Sequence, residues 1–95
     1  MNYYQQGDVL LFESDKPKGL KKLKTDLLHK GQQNHHRMRG KFSIGKVGDT
    51  VYLESTKSEL FHEEHETIKI GKGFYRLGIA LEYDHQLQES RRVID

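Results

Sequence analysis

The chain contains no cysteine, no tryptophan and a single proline, Pro17. Without cysteine there is no disulfide framework, no thiolate metal site and no thiol nucleophile. Apolar residues nowhere run to the roughly 20 that a membrane-spanning helix needs. The opening MNYYQQGD lacks the charged-then-apolar character of a secretory leader. The expectation is a cytoplasmic protein with no membrane partner. A G-x-S-x-G nucleophile elbow is missing too, so serine-based acyl chemistry has no support. Gly71-Lys72-Gly73 is too short for a phosphate loop, and it leads into a strand pattern instead of a helix.

What is present is charge. Of 95 residues, 34% are hydrophobic and 32% charged, so residues 1–95 make one small domain with a thin core. The net charge of +2 hides an asymmetry: residues 1–46 hold ten Lys/Arg against four Asp/Glu, and residues 47–95 hold six against ten. The basic half centres on Lys16, Lys18, Lys21, Lys22 and Lys24, then on Arg37, Arg39 and Lys41. Such a distribution fits a solvated face, an anionic partner such as nucleic acid, docking on a host protein, or a homo-oligomer joined through its opposite-charge halves. Tyr3, Tyr4, Phe42, Tyr52 and Tyr75 are available for stacking on bases.

Short apolar runs separated by glycine turns, with no sustained helical stripe, indicate an all-β domain. After a polar start, residues 9–12 (VLLF) read as a buried strand, and residues 14–19 as a loop. Residues 20–29 fit a helix or a strand, and the better reading is a loop entering a strand at 25–30. Residues 42–47 and 50–54 form a hairpin through Gly48-Asp49, and 55–58 make a turn. In residues 74–83 the odd positions Tyr75, Leu77, Ile79, Leu81 and Tyr83 form one apolar face, the expected core. The fold class is therefore a small barrel or cupin-like folded sheet of about six or seven strands, a usual size. The loop at 14–24 and the tail at 84–95 are expected to be irregular.

The chemistry concentrates in residues 60–70, LFHEEHETIKI. As one unbroken strand it would place Leu60, His62, Glu64, Glu66, Ile68 and Ile70 on a single face. With a turn at Glu63-Glu64, His62 and His65 converge instead. A second pair, His35-His36, lies upstream. Imidazole and carboxylate are ligands for divalent transition metals (Zn, Fe, Ni or Mn), and strand ends at a barrel mouth are a natural place to gather them. The candidate ligands are His35, His36, His62, Glu64 and His65. Because its histidines stand three apart rather than four, HEEH is not the HExxH of metalloproteases. An equally weighted alternative is an ion-pair network in which His62, Glu63, Glu64, His65 and Glu66 face Arg37, Arg39 and Arg76.

The order QQGDVLL, NHHRMRG, LFHEEHETIKIGKGFYRLGIALEYD and RRVID resembles small uncharacterised proteins of phages and bacterial mobile elements. Those carry a GDV start, a G-H-x-HR loop, a strand with HEEH and a terminal REYD. The resemblance implies that His35, His36, Arg37, His62, Glu63, Glu64 and His65 belong together, and it implies no activity. This chain departs from the pattern at Gln32-Gln33-Asn34 and at Leu81, where the pattern has arginine. GDVLLFE, HRM and VGDTVYL also resemble the β scaffold of signal-peptidase-like proteins, but the serine–lysine pair of that chemistry has no counterpart. Two functional expectations follow: a metal-binding accessory protein, or a non-enzymatic module that docks through its basic half.

Overall fold

The computed structural model describes residues 3–31 and 35–80, and these contain eight strands and no helix. Strands β1 (Tyr3–Gln6) and β2 (Val9–Ser14) form a hairpin through Gly7-Asp8. Short strands β3 (Lys21–Leu23) and β4 (Leu27–His29) follow. Then β5 (His36–Val47) and β6 (Thr50–His62) form a long hairpin through Gly48-Asp49, and β7 (His65–Ile70) and β8 (Gly73–Ile79) complete the set. The sheet order is β1-β2-β8-β6-β5-β3, antiparallel throughout, with β4 added to β5 and β7 to β6. The all-β expectation holds. The strands number eight instead of six or seven, and the sheet is an open one ending at β1 and β3.

The β1–β2 and β5–β6 hairpins use the same Gly-Asp dipeptide, with Gly7 and Gly48 each at φ 61°. A left-handed residue suits the twist of a two-residue hairpin, and glycine adopts it without a Cβ clash. The polar start thus belongs to the sheet. Gln6 is buried and Tyr4 packs against the core. Residues 20–30 hold two short strands and no helix. β3 lies inside the expected loop because it pairs with Lys46, Gly45 and Ile44 of β5.

The expected turn at 55–58 does not form, because β6 runs straight through it. Lys41 pairs with Lys57 and Phe42 with Ser55, leaving Thr56 as the extra residue of a bulge. Gly40, at φ 103°, allows this: a Cβ there would come within 2.5 Å of the Lys57 carbonyl oxygen. Inside the bulge, the Ser55 hydroxyl donates to the Ile70 carbonyl at 3.2 Å, so the Ser58 hydroxyl donates to Ser55 Oγ at 2.6 Å. Across β6, β7 pairs with the second half and β8 with the first, so the two are one line of chain broken at Gly71-Lys72. Tyr4 and Tyr75 pin that break. The Gly71 amide donates to Tyr4 Oη at 3.1 Å, and the Tyr75 hydroxyl donates to the Gly71 carbonyl at 2.8 Å.

Bulges bend sheets, and here the first half of β5 and the second half of β6 lie against β1, where Gln6 meets His36 and the Leu60 carbonyl. The enclosed core is Val9, Leu11, Leu28, Met38, Ile44, Leu53, Leu60, Ile70 and Tyr75. Of the expected core face on β8, Tyr75 is buried and Leu77 packs against the cluster, whereas Ile79 is 38% exposed. Leu81 and Tyr83, like the tail at 84–95, lie outside the described residues. No helix among the described residues is long and apolar enough to cross a membrane.

Candidate functional site

β6 ends at His62, Glu63-Glu64 make the turn, and β7 begins at His65, with His62 and His65 as register partners. The chain therefore folds between the two histidines instead of running through them as one strand. At the same end of the sheet lie the β1–β2 turn, the end of β4 and the start of β5. This brings four imidazoles together. The ring centroids of His36 and His62 are 4.3 Å apart, those of His62 and His65 4.5 Å, those of His29 and His36 5.9 Å, and those of His36 and His65 6.1 Å.

His36 is the buried centre of the group, and Gln6 holds it. The Gln6 amide nitrogen lies 2.9 Å from the Leu60 carbonyl and 2.9 Å from the Glu66 carbonyl. Both partners are acceptors only, so the nitrogen must face them and Oε1 must face His36 Nδ1, 2.9 Å away. An acceptor opposite Nδ1 places the ring proton there. Nε2 of neutral His36 is left with a free lone pair, 3.7 Å from Asp8 Oδ1. Burial and the neighbouring His62, His29 and His65 outweigh the attraction of Asp8, and they lower the His36 pKa from 6.5 to about 4. At neutral pH the ring is an uncharged base.

The opposite constraint acts on His62. The Glu64 amide donates to His62 Nδ1 at 3.0 Å, so the neutral ring carries its proton on Nε2. His65 is exposed and lies over Gly7; a Cβ on Gly7 would sit 2.6 Å from His65 Nε2. Glycine at that position thus serves both the left-handed turn and the close approach of the ring.

Of the five candidate ligands, His36, His62 and His65 are brought together and two are not. His35 stands just before β5 and is not among the rings in contact; its Nδ1 is buried without a hydrogen-bond partner among the described residues. Glu64 stands in the turn with its side chain exposed, and only its backbone amide reaches a histidine. Sequence reasoning missed His29, Gln6 and Asp8. The last two lie in the QQGD stretch, whose turn dipeptide was a usable signal. His29 depended on the Leu27–Arg37 and His29–His36 register, which no local pattern reveals.

The ion-pair network does not form. Arg37 bonds Asp26 at 2.9 Å, Arg39 lies 3.5 Å from Glu59 and stacks on Phe61, and Arg76 stacks on Phe12. These pairs are exposed and contribute about 0–1 kcal/mol each. The remaining basic candidates are also exposed: Lys16 and Lys18 in the β2–β3 loop, Lys21 and Lys22 on β3, Lys24 just after it, and Lys41 at the bulge. Among the described residues, no group of three or more His, Asp or Glu side chains stands ready as a metal-ligand set.

Residues 5–80 match DUF8820, a domain of unknown function, and that span includes every residue of the histidine group, from Gln6 to His65. No curated protein and no solved structure matches the chain.

Proposed function

We propose that this chain, which belongs to the DUF8820 family, is a metal-binding accessory protein whose ligands are His36, His65 and Asp8, with His62 alongside. The observation that carries this reading is the Gln6–His36 pair. A metal-bound histidine characteristically donates its second ring N–H to a carbonyl or carboxylate, which fixes the tautomer and aims the free nitrogen at the ion. Gln6 does that for His36. His36 Nε2 and Asp8 Oδ1, 3.7 Å apart, can both lie about 2 Å from one ion. His65 would complete two imidazoles and one carboxylate, a set used for divalent iron and its neighbours in the first transition row.

The third ligand has to move. His65 is exposed and free to turn inward past Gly7, while ligation by His62 through Nε2 would cost the Glu64 amide its acceptor. In this reading the protein is a cytoplasmic factor of phage or mobile-element origin, and the metal takes its remaining ligands from water or a substrate.

The test is elemental analysis of protein purified without an affinity His-tag, combined with melting curves in Zn, Mn, Fe and Ni. The expected result is about one ion per chain and a raised melting temperature. His65→Ala and Asp8→Asn should abolish both, and His35→Ala should leave them intact. A metal content well below one per chain, with no thermal shift in any of the four ions, would overturn the proposal.

A further inference from the structure

We infer that the outer face of the sheet is a binding platform for single-stranded nucleic acid, independent of the histidine site. The register pairs define one continuous cross-strand row: Tyr3 opposite Phe12, Phe12 opposite Arg76, Arg76 opposite Tyr52, Tyr52 opposite Gly45, and Gly45 opposite Lys22. Directly opposed residues share a face. This row faces away from the core, because the residues next to it in each strand, Leu11, Tyr75, Leu53 and Ile44, are core members. It crosses six strands, a span of about 24 Å at the usual strand spacing.

The row carries three aromatic rings and two cations, with no carboxylate among them. Its rings are already organised. Tyr3 and Phe12 have centroids 5.8 Å apart, and the Arg76 guanidinium lies 4.8 Å from the centre of the Phe12 ring. Gly78 makes room below: a Cβ there would stand 2.8 Å from the Phe12 ring. Tyr3 is 44% exposed, and Arg76 and Lys22 are exposed as well. Farther along β5 and β6, beyond the Thr56 bulge, Arg39 stacks on Phe61 at 4.3 Å, and Arg37 is the register partner of Phe61.

Aromatic rings interleaved with arginine and lysine on an open sheet match what an unpaired strand offers, namely base faces to stack and phosphates to neutralise. A duplex hides its base faces, so the rings would be idle against it. The positive charge of the row complements a polyanion, and about four extended nucleotides fit its length. Arg76 brings a cation from the acidic half of the chain, so the platform does not follow the charge division visible in sequence.

Fluorescence anisotropy with a labelled short oligothymidylate, and with a duplex of the same length, tests this at low and moderate salt. The single strand is expected to bind roughly tenfold or more tightly than the duplex. Tyr3→Ala, which removes an exposed ring and spares the core, should weaken single-strand binding about fivefold or more. Lys22→Gln and Arg76→Gln should each lower the salt slope by about one. Absence of binding at micromolar protein and low salt would overturn the inference. So would equal affinity for strand and duplex, or unchanged single-strand binding in a Tyr3→Ala protein that melts like the parent.

Discussion

Leu53→Ala is expected to lower the unfolding free energy by about 2–5 kcal/mol, and Ile79→Ala by less than about 1 kcal/mol. Leu53 is fully buried in the first half of β6, with Ile44 opposite it on β5 and Tyr75 opposite it on β8. Truncation there removes contacts on both sides and leaves a void between strands that the sheet holds at fixed spacing. Ile79 has the same residue class and the same alternation as Tyr75 and Leu77. However, β8 extends three residues beyond its last pair with β6, Arg76–Tyr52, so Ile79 has β2 alone beside it. A domain of this size holds about 5–15 kcal/mol in total. Urea melts should therefore show the Leu53 variant severely weakened and the Ile79 variant close to the parent. Equal losses would mean that the core is placed wrongly.

Gln6→Leu should cost about 3 kcal/mol or more, a large effect for a residue outside the apolar core. Its side chain is 2% exposed and satisfies the Leu60 carbonyl, the Glu66 carbonyl and His36 Nδ1 together. An apolar replacement of similar size fills the space but orphans all three, at about 1–3 kcal/mol for each buried group left unpaired. These bonds also tie β1 to β6 and β7, strands with which it shares no sheet pairing, so the variant should loosen the whole histidine end. Hydrogen exchange of the β6–β7 amides reads this directly. Protection unchanged from the parent would refute the role given to Gln6.

The same group makes stability depend on pH. His36 has a folded pKa near 4 against 6.5 in its ordinary state, lowered by burial and by His62, His29 and His65 against the pull of Asp8. Below pH 6.5 the unfolded chain takes a proton that the native ring refuses. The contribution of His36 is therefore full above about pH 6.5 and lost as pH falls toward 4. From His36 alone the loss is about 2 kcal/mol between pH 7 and pH 5. In His36→Asn, which keeps a donor for Gln6 and removes the titration, that portion of the pH dependence should vanish.

The legible part of this fold was its local chemistry. Gly48-Asp49 between alternating apolar residues is enough to specify the β5–β6 hairpin, and VLLF is enough to specify a buried strand. The convergence of His62 and His65 across Glu63-Glu64 was one of two readings that the sequence left open, and the register decides for it. What could not be read depends on distant pairing. The Thr56 bulge looked like a turn because Ser55 and Ser58 are turn residues. Their hydroxyls are instead buried against each other and the Ile70 carbonyl, a partner supplied from β7. Gln6 is 30 residues from His36 and 54 from Leu60, the groups that give it meaning, and His29 meets His36 only through the β4–β5 register. Glu64 misled for a simpler reason: a residue inside a tight turn points its side chain outward, however suitable its carboxylate.

Long-range proton–nitrogen spectra of the imidazole rings at neutral pH, recorded before and during addition of zinc, test the central claim most directly. Without metal, the account predicts a His36 ring protonated on Nδ1 and bare on Nε2, and a His62 ring of the opposite tautomer. With one equivalent of zinc, the nitrogen signals of His36 Nε2 and of His65 should move to the range of metal-bound imidazole, while His35 stays unchanged. A His36 ring protonated on Nε2, or ring signals that do not move with zinc in excess, would contradict it.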